Sequence, residues 1–365
     1  MKRKIIYSSI FFVLACVLLI TLFFSSSLES LLYLSPDLSM IGETAFEVHF
    51  IDVGQGDAVA VRFPNEKTML VDSGPVSGKD NLIEYLDNVF FEDGYNTFDY
   101  VFLTHSDIDH SGNMNYILNN YKVNNFYRPY IFSENLESES SGFKDNNMCY
   151  DDILTTLNNK AITTFFCTDG GVINVGDSKI EIFAYSKLTE LDEANEFSPT
   201  LIITANDSKV CLSGDAGIDI EKDLIDRNLL PEVDLFKLSH HGSKYSNSLD
   251  FINTLSPKYV VCSVGENSYG HPASDVLLRL AEFDKVSGEN TYSTFKSTLN
   301  NGNVIYYVNS NEMSVVEINS LGDYIFLDWY IIVIIGEIVI IACCLLIVIP
   351  KKRIRINPHM KNMKA

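Results

Sequence analysis

The chain has 365 residues, 46% of them hydrophobic, and a net charge of −21. That length admits one large domain or two ordinary ones, and the apolar share is ample for a packed core. So acidic a balance excludes electrostatic steering of long polyanions by the chain as a whole.

The apolar residues are unevenly spread. Met1-Lys2-Arg3-Lys4 is followed by an uncharged run from Ile5 to Phe24, which meets the ~20 residues needed to cross a bilayer. The run exceeds the about 7–15 apolar residues of a cleaved signal peptide, so an uncleaved signal anchor is expected despite Ser25-Ser26-Ser27. A second run, Ile331 to Ile349, has Tyr324, Trp329 and Tyr330 before it and Lys351-Lys352-Arg353-Ile354-Arg355 after it. Aromatics on one flank and bases on the other mark a spanning helix with its basic end inside. The expected organisation is a two-pass cell-membrane protein with both termini cytoplasmic. Residues 1–26 are the anchor, 27–328 an outward-facing domain with its core at about 46–319, 329–350 the second span, and 351–365 a basic tail. Glu337 lies mid-span, where a carboxylate is costly unless protonated or paired, and contact with a membrane partner is one way to pair it. The tails hold nine of the 27 Lys/Arg, and Glu337 is the only one of 48 acids within a span. The outer domain therefore has 18 bases against 47 acids, a net of −29.

Within that domain, Phe46 to Val53 alternates like a strand, Gly54-Gln55-Gly56-Asp57 turns it, and Ala58–Phe63 and Thr68–Val71 complete an antiparallel meander. His49 reads as a face residue of the first strand. Helical spacing covers Asn81–Phe91, and Asp99–Leu103 is a buried strand. A helix begins at Met114, Ser133–Asp152 is a polar surface loop, and a helix follows near Ile153–Leu157. Strands are then expected at Lys179–Tyr185, Thr200–Thr204, Val210–Leu212, Val233–Leu238, Tyr259–Val264, Val304–Val308 and Met313–Ile318, with helices at Ile218–Leu229 and Asp275–Phe283. Two sheets packed face to face with helices outside fit this order. Cys149, Cys167, Cys211 and Cys262 are dispersed without a C-x-x-C pair, so they form no zinc site; Cys211 and Cys262 fall in strand-like runs as buried thiols.

The chemistry concentrates at strand ends. Thr104-His105-Ser106-Asp107-Ile108-Asp109-His110-Ser111-Gly112 directly follows an apolar strand and places two imidazoles and two carboxylates around one point. Charges so dense need a cation. Asp215 ends another strand, His240-His241 a third, and His271 lies in Tyr269-Gly270-His271-Pro272. Imidazoles and carboxylates on one rim of a sandwich can hold two metal ions, with Asp215 able to touch both.

Together with Phe50–Asp57, Val71-Asp72-Ser73-Gly74, Ser213-Gly214-Asp215, His240-His241-Gly242-Ser243-Lys244 and Ser263–Pro272, these motifs resemble the metallo-β-lactamase-fold hydrolases, above all the C-terminal hydrolase domain of ComEC-type competence (DNA-uptake) proteins. The resemblance covers about residues 46–283. It implies an α/β fold, an αββα sandwich, with two divalent ions, manganese or zinc, at one edge. Carried over by position, His105, Asp107 and Asp215 hold one ion; Asp109, His110, Asp215 and one of His240 and His241 hold the other. His240 is favoured as that ligand, with His241 or His271 touching substrate or donating a proton. Asp72 orders the loop, and Asp57 ends a turn near the site or serves its conformation. Ser243 and Lys244 stand next to the histidine pair. Where the general fold has two further histidines, this chain has Asp107 and the region of Asn195 and Ser198, an oxygen-rich set that favours manganese or mixed occupancy. The function implied is a metal-dependent hydrolase using a metal-bound hydroxide, a phosphodiesterase or nuclease acting on nucleic acid or on a small envelope-linked ester. The alternative is a non-catalytic accessory of a membrane transport complex.

Overall fold

The computed structural model describes residues 38, 41–42, 45–91, 94–129, 141–186, 194–309 and 312–318. Both expected spans, and Glu337 with them, lie outside the described residues. Among the described residues no helix is long and apolar enough to cross a membrane. Residues 34–319 form one compact unit.

The first sheet opens with β1 (Phe46–Phe50), β2 (Val59–Arg62) and β3 (Thr68–Val71), an antiparallel meander. Helix α1 (Lys79–Tyr85) then returns the chain to β4 (Thr97–Phe102), which pairs with β3 in parallel. A single turn, α2 (Ile108–Ser111), and α3 (Met114–Asn120) lead to β5 (Lys122–Arg128), and α4 (Ser141–Asn159) leads to β6 (Thr163–Phe166), both added in parallel. The second sheet starts with antiparallel β7 (Gly171–Val175), β8 (Ser178–Phe183), β9 (Thr200–Ala205) and β10 (Ser208–Leu212). It continues in parallel through α5 (Ile218–Asp226), β11 (Leu235–Lys237), α6 (Leu249–Leu255), β12 (Tyr259–Cys262), α7 (Ser274–Ser287) and β13 (Lys296–Ser297). After α8 (Thr298–Asn301), the strands β14 (Asn303–Val308) and β15 (Met313–Ile318) rejoin the first sheet beside β1. Among the described residues the sheets have eight and seven strands, in the order β15-β14-β1-β2-β3-β4-β5-β6 and β13-β12-β11-β10-β9-β8-β7.

Strand chemistry explains the layering. In β8, Ile180 and Ile182 point inward while Lys179 and Glu181 pair outside at 2.9 Å. The inner faces of both sheets meet in one core that includes Phe46, Val48, Phe50, Leu201, Ile203 and Tyr306. Apart from Ser208, Lys209 and Lys237, the strands β10 to β12 are apolar on both faces, as parallel strands covered by helices must be. Their outer residues Cys211, Phe236, Val260 and Cys262 pack under Phe251, Ile252 and Leu280 of the helices. Full burial of each such side chain contributes roughly 1.5–3 kcal/mol. The four described cysteines are free thiols.

Several elements depart from expectation. Helix α4 starts at Ser141, inside the stretch expected to be a polar loop. The strands β5, β6 and β7 were not foreseen. They lie toward the sheet edges, and β6 in particular is largely exposed, so hydrophobic alternation is weak. Asp109 and His110 sit on the turn α2, whereas a loop was expected.

Parallel pairing places the carboxyl ends of β3, β4, β10, β11 and β12 at one rim. From those ends come Asp72, Thr104–His110, Asp215, His240-His241 and Ser263.

Candidate metal centre

The rim is built from the backbone outward. The β1–β2 turn packs so tightly on α2 that a Cβ on Gly56 would lie 2.3 Å from the carbonyl oxygen of Asp109. Only glycine permits this approach, and it lets the Asp57 amide donate to that carbonyl at 3.1 Å. Three non-glycine site residues take left-handed backbone: Asp72 (φ 59°), His240 (φ 52°) and His241 (φ 51°). Such conformations cost about 1–3 kcal/mol each and persist where surrounding structure over-determines them.

Asp72 is the hub of the first half-site. Its Oδ1 accepts from the Thr104 amide at 2.8 Å, and its Oδ2 accepts from the Thr104 hydroxyl at 2.7 Å and from His110 Nδ1 at 2.8 Å. Thr104 Oγ1, its proton committed to Asp72, is left to accept from His105 Nδ1 at 3.0 Å. On the other sheet, His241 Nδ1 donates to the Ser263 carbonyl at 2.8 Å, since a carbonyl can only accept. All three imidazoles therefore spend their Nδ1 on the protein and present Nε2 inward, the tautomer that suits a ligand.

The inward atoms converge. His110 Nε2 lies 3.3 Å from His241 Nε2 and 3.2 Å from Asp215 Oδ1; His241 Nε2 lies 3.3 Å from Asp109 Oδ2 and 3.7 Å from Asp215 Oδ2. Among the described residues His105 Nε2 is buried without a hydrogen-bond partner, 3.7 Å from Asp107 Oδ2, and Asp215 Oδ1 is buried without hydrogen-bonding geometry. His105, His110 and Asp215 form one potential ligand group, and Asp109, His110 and His241 another.

This set fits divalent ions. Two imidazole nitrogens bound at ~2.0–2.1 Å to one tetrahedral ion stand ~3.3–3.4 Å apart, which matches His110 and His241. Two N–H groups could not face each other at that distance. The electrostatics make the same demand. Burial opposes a charge on His110, but Asp215, Asp72 and Asp57 outweigh it and hold its pKa well above the ordinary value. Burial likewise opposes charge on His241, yet Asp215 and Asp57, with hydrogen bonds accepted by Asp109 and Asp57, push it up to about 10. Asp215 is held well below the usual carboxylate range, because His110 and His241 overcome its desolvation. Both raised imidazoles mark a site where the buried carboxylates Asp215, Asp72 and Asp57 favour a cation.

The expected residues divide into three groups. His105, Asp109, His110, Asp215 and His241 come together, with Asp107 at the rim beside His105. His241, and not the favoured His240, is the histidine inside the cluster. The two successive left-handed residues turn His241 inward and leave His240 at the mouth, 29% exposed and 3.8 Å from Asp215 Oδ2. His240 and His271 stand 5.6 Å apart, ring to ring, with Tyr269 a further 5.8 Å out. Burial lowers the pKa of both imidazoles, aided by the neighbouring histidines, and keeps them neutral near pH 7. Ser198 reaches the cluster: its Oγ lies 3.3 Å from His105 Nδ1 and accepts from the Asp215 amide at 3.2 Å. Asn195 only supports that turn through its carbonyl. Ser243 accepts from the Tyr245 amide, and exposed Lys244 lies over the Tyr245 ring, so neither belongs to the cluster. His49 is remote, bonded to Tyr85 and Glu47. Lys237 was missed; its sign in the sequence is a lysine inside an apolar strand.

The sequence profile of the Metallo-beta-lactamase superfamily matches residues 51–151. ComE operon protein 3 of Bacillus subtilis is 28% identical over 267 residues, covering 68% of this chain and 31% of that protein. Recombination protein 2 of Haemophilus influenzae is 25% identical over 253 residues, 69% of this chain and 28% of that protein. The chain thus spans about a third of the length of these curated relatives. Among solved structures, a metallo hydrolase of the archaeon Ignicoccus hospitalis is similar with a TM-score of 0.44 and 17% identity, over 76% of this chain and all of that one.

Proposed function

We propose, from the premise that this chain carries a metal-dependent-hydrolase domain of metallo-β-lactamase fold related to competence proteins, that it is a membrane-anchored phosphodiesterase acting on the outer side of the membrane. The observation that carries the hydrolytic reading is the 3.3 Å approach of His110 Nε2 and His241 Nε2 above a buried carboxylate. His105, Asp107 and Asp215 would hold one divalent ion, and Asp109, His110, His241 and Asp215 the other. His241 takes the ligand role that sequence reading favoured for His240. Two such ions supply an activated water and charge neutralisation for the oxygens of the bond being cut.

The protein's own groups do the rest. Asp72 and the Ser263 carbonyl fix the imidazoles so that their lone pairs point inward. Asp215 presents Oδ1 to His110 and Oδ2 to His241. His240 and His271, neutral at the mouth, each offer an N–H to a substrate oxygen, and the exposed Tyr269 ring continues that wall outward. The donor set is rich in oxygen, which favours manganese, alone or with zinc. Membrane anchoring is supported by the apolar runs Ile5–Phe24 and Ile331–Ile349 and their basic flanks.

The net of −29 between the two spans favours small or envelope-linked phosphodiesters over long nucleic acid, while the resemblance to ComEC-type competence (DNA-uptake) proteins favours a nuclease. A panel of bis(nitrophenyl) phosphate and single-stranded DNA, assayed with the wild type and Asp109→Asn, separates these. Hydrolysis by the wild type with none by the variant supports the reading, the preferred substrate names the class, and equal turnover by the two proteins removes Asp109 from the chemistry.

A further inference from the structure

Lys237 is a lysine with 1% of its surface exposed, on the third residue of β11 in the second sheet. Its Nζ is paired with Asp57 Oδ2 and donates to the Leu238 carbonyl at 3.2 Å. Asp57 is equally buried, but it belongs to the β1–β2 turn of the first sheet. Removing both charges from water is costly, and a matched apolar pair would stabilise the sandwich at least as well. The placement of the pair suggests a use beyond stability.

Asp57 reaches Asp109, His110 and His241 from behind. Its amide donates to the Asp109 carbonyl at 3.1 Å, and its carbonyl accepts from the Gly74 amide at 2.7 Å, two residues after Asp72. Its Oδ1 lies 3.4 Å from His241 Nδ1 and its Oδ2 3.8 Å from His110 Nδ1. Both contacts are to the Nδ1 side of the rings, away from the Nε2 atoms that converge, so Asp57 faces the outer edge of the two imidazoles. Through Lys237 the same carboxylate is tied to the strand that leads into His241.

Resting on the hydrolase reading above, we propose that the Asp57–Lys237 ion pair is a clamp between the two sheets that sets the distance from Asp109 and His110 to His241, and thereby the affinity of the metal position these three share. Lys237 keeps Asp57 an anion and anchors it across the sandwich. Asp57 in turn orients His110 and His241 from their outer edges. Neither residue touches substrate; both are positioning residues.

The test is calorimetric titration of the metal-free full chain with manganese, for the wild type, Lys237→Arg and the double variant Asp57→Asn/Lys237→Met. The double variant removes both charges at nearly constant volume, so it leaves no orphaned ion. The wild type is expected to take up two equivalents. The double variant should keep a cooperative thermal transition in the metal-free state yet bind one equivalent at least about tenfold more weakly, as loss of an outer-shell partner typically does, while the other equivalent is unchanged. Lys237→Arg, which keeps the charge, should recover most of that loss. Native affinity for both equivalents in the double variant would overturn the clamp and leave the hydrolase reading standing. Loss of its cooperative transition would make the pair structural only. A wild type that binds no manganese and no zinc would end both.

Discussion

Two buried histidine environments in this protein differ in one respect that matters. His49, on β1, is hydrogen-bonded at both nitrogens, to Tyr85 at 2.8 Å and to Glu47 at 2.9 Å, and its ring packs edge-on against Phe90. Every polar atom of that ring is accounted for within the protein. At the rim, His105, His110 and His241 each bond the protein through Nδ1, while His105 Nε2 has no hydrogen-bond partner among the described residues and the Nε2 atoms of His110 and His241 lie 3.3 Å from each other beside Asp215. A buried polar group left unpaired costs about 1–3 kcal/mol. A cluster of them aimed at one point is tolerated only where something else completes it. Burial of histidine alone therefore means little; the direction of the second nitrogen separates a packing residue from a ligand.

The largest way to break this comparison is Asp109→Asn. It removes a carboxylate from the rim cluster without changing volume. Turnover should fall by more than about 100-fold, since even outer-shell partners cost 10–100-fold, and the thermal midpoint of the metal-free chain should stay put. Steady-state kinetics and a thermal melt check both halves. Next in size is metal removal. Chelation should abolish turnover and lower the melting temperature, and manganese at about 100 times its dissociation constant should return ~2.7 kcal/mol, whereas a chelator-insensitive melt would place the rim with His49 as mere packing.

The pH dependence sharpens the contrast further. In the metal-free chain His241 is raised from 6.5 to about 10, so its charged form stabilises the fold. That contribution is complete below about pH 6.5 and is lost as pH rises toward about 10. Asp215, held below 3.8, contributes above that value and loses its contribution as pH falls past it. Melts at about pH 6 and pH 9.5 should therefore show the metal-free chain weakening with alkalinity. With manganese the trend should shrink or reverse, because ligands bind deprotonated and affinity rises with pH. The smallest effect is expected from Tyr85→Phe. It strands His49 Nδ1, costs about 1–3 kcal/mol in a denaturant melt, and leaves metal uptake at the rim unaltered.

Much of the rim was legible in the sequence because its information is local. His105, Asp107, Asp109 and His110 lie within six residues after an apolar strand, and Asp215 and the histidine pair each follow another strand end. The layered α/β sandwich followed from the same alternation of strands and helices. What stayed hidden depends on backbone sign or on distant neighbours. Choosing between His240 and His241 requires their left-handed φ values, which no spacing rule encodes. Lys237 is separated from Asp57 by most of the domain, and a lysine in an apolar strand looks like an edge residue until its partner on the other sheet is known. Helix α4 begins in a polar stretch whose composition resembles a loop.

The central claim is that the rim holds two metal ions through His241 and not His240. Elemental analysis of the purified full chain tests it most directly, with His241→Ala and His240→Ala measured alongside. The account predicts two divalent ions per wild-type chain, about one in His241→Ala and two in His240→Ala. No metal in the wild type, or loss confined to the His240 variant, would contradict it.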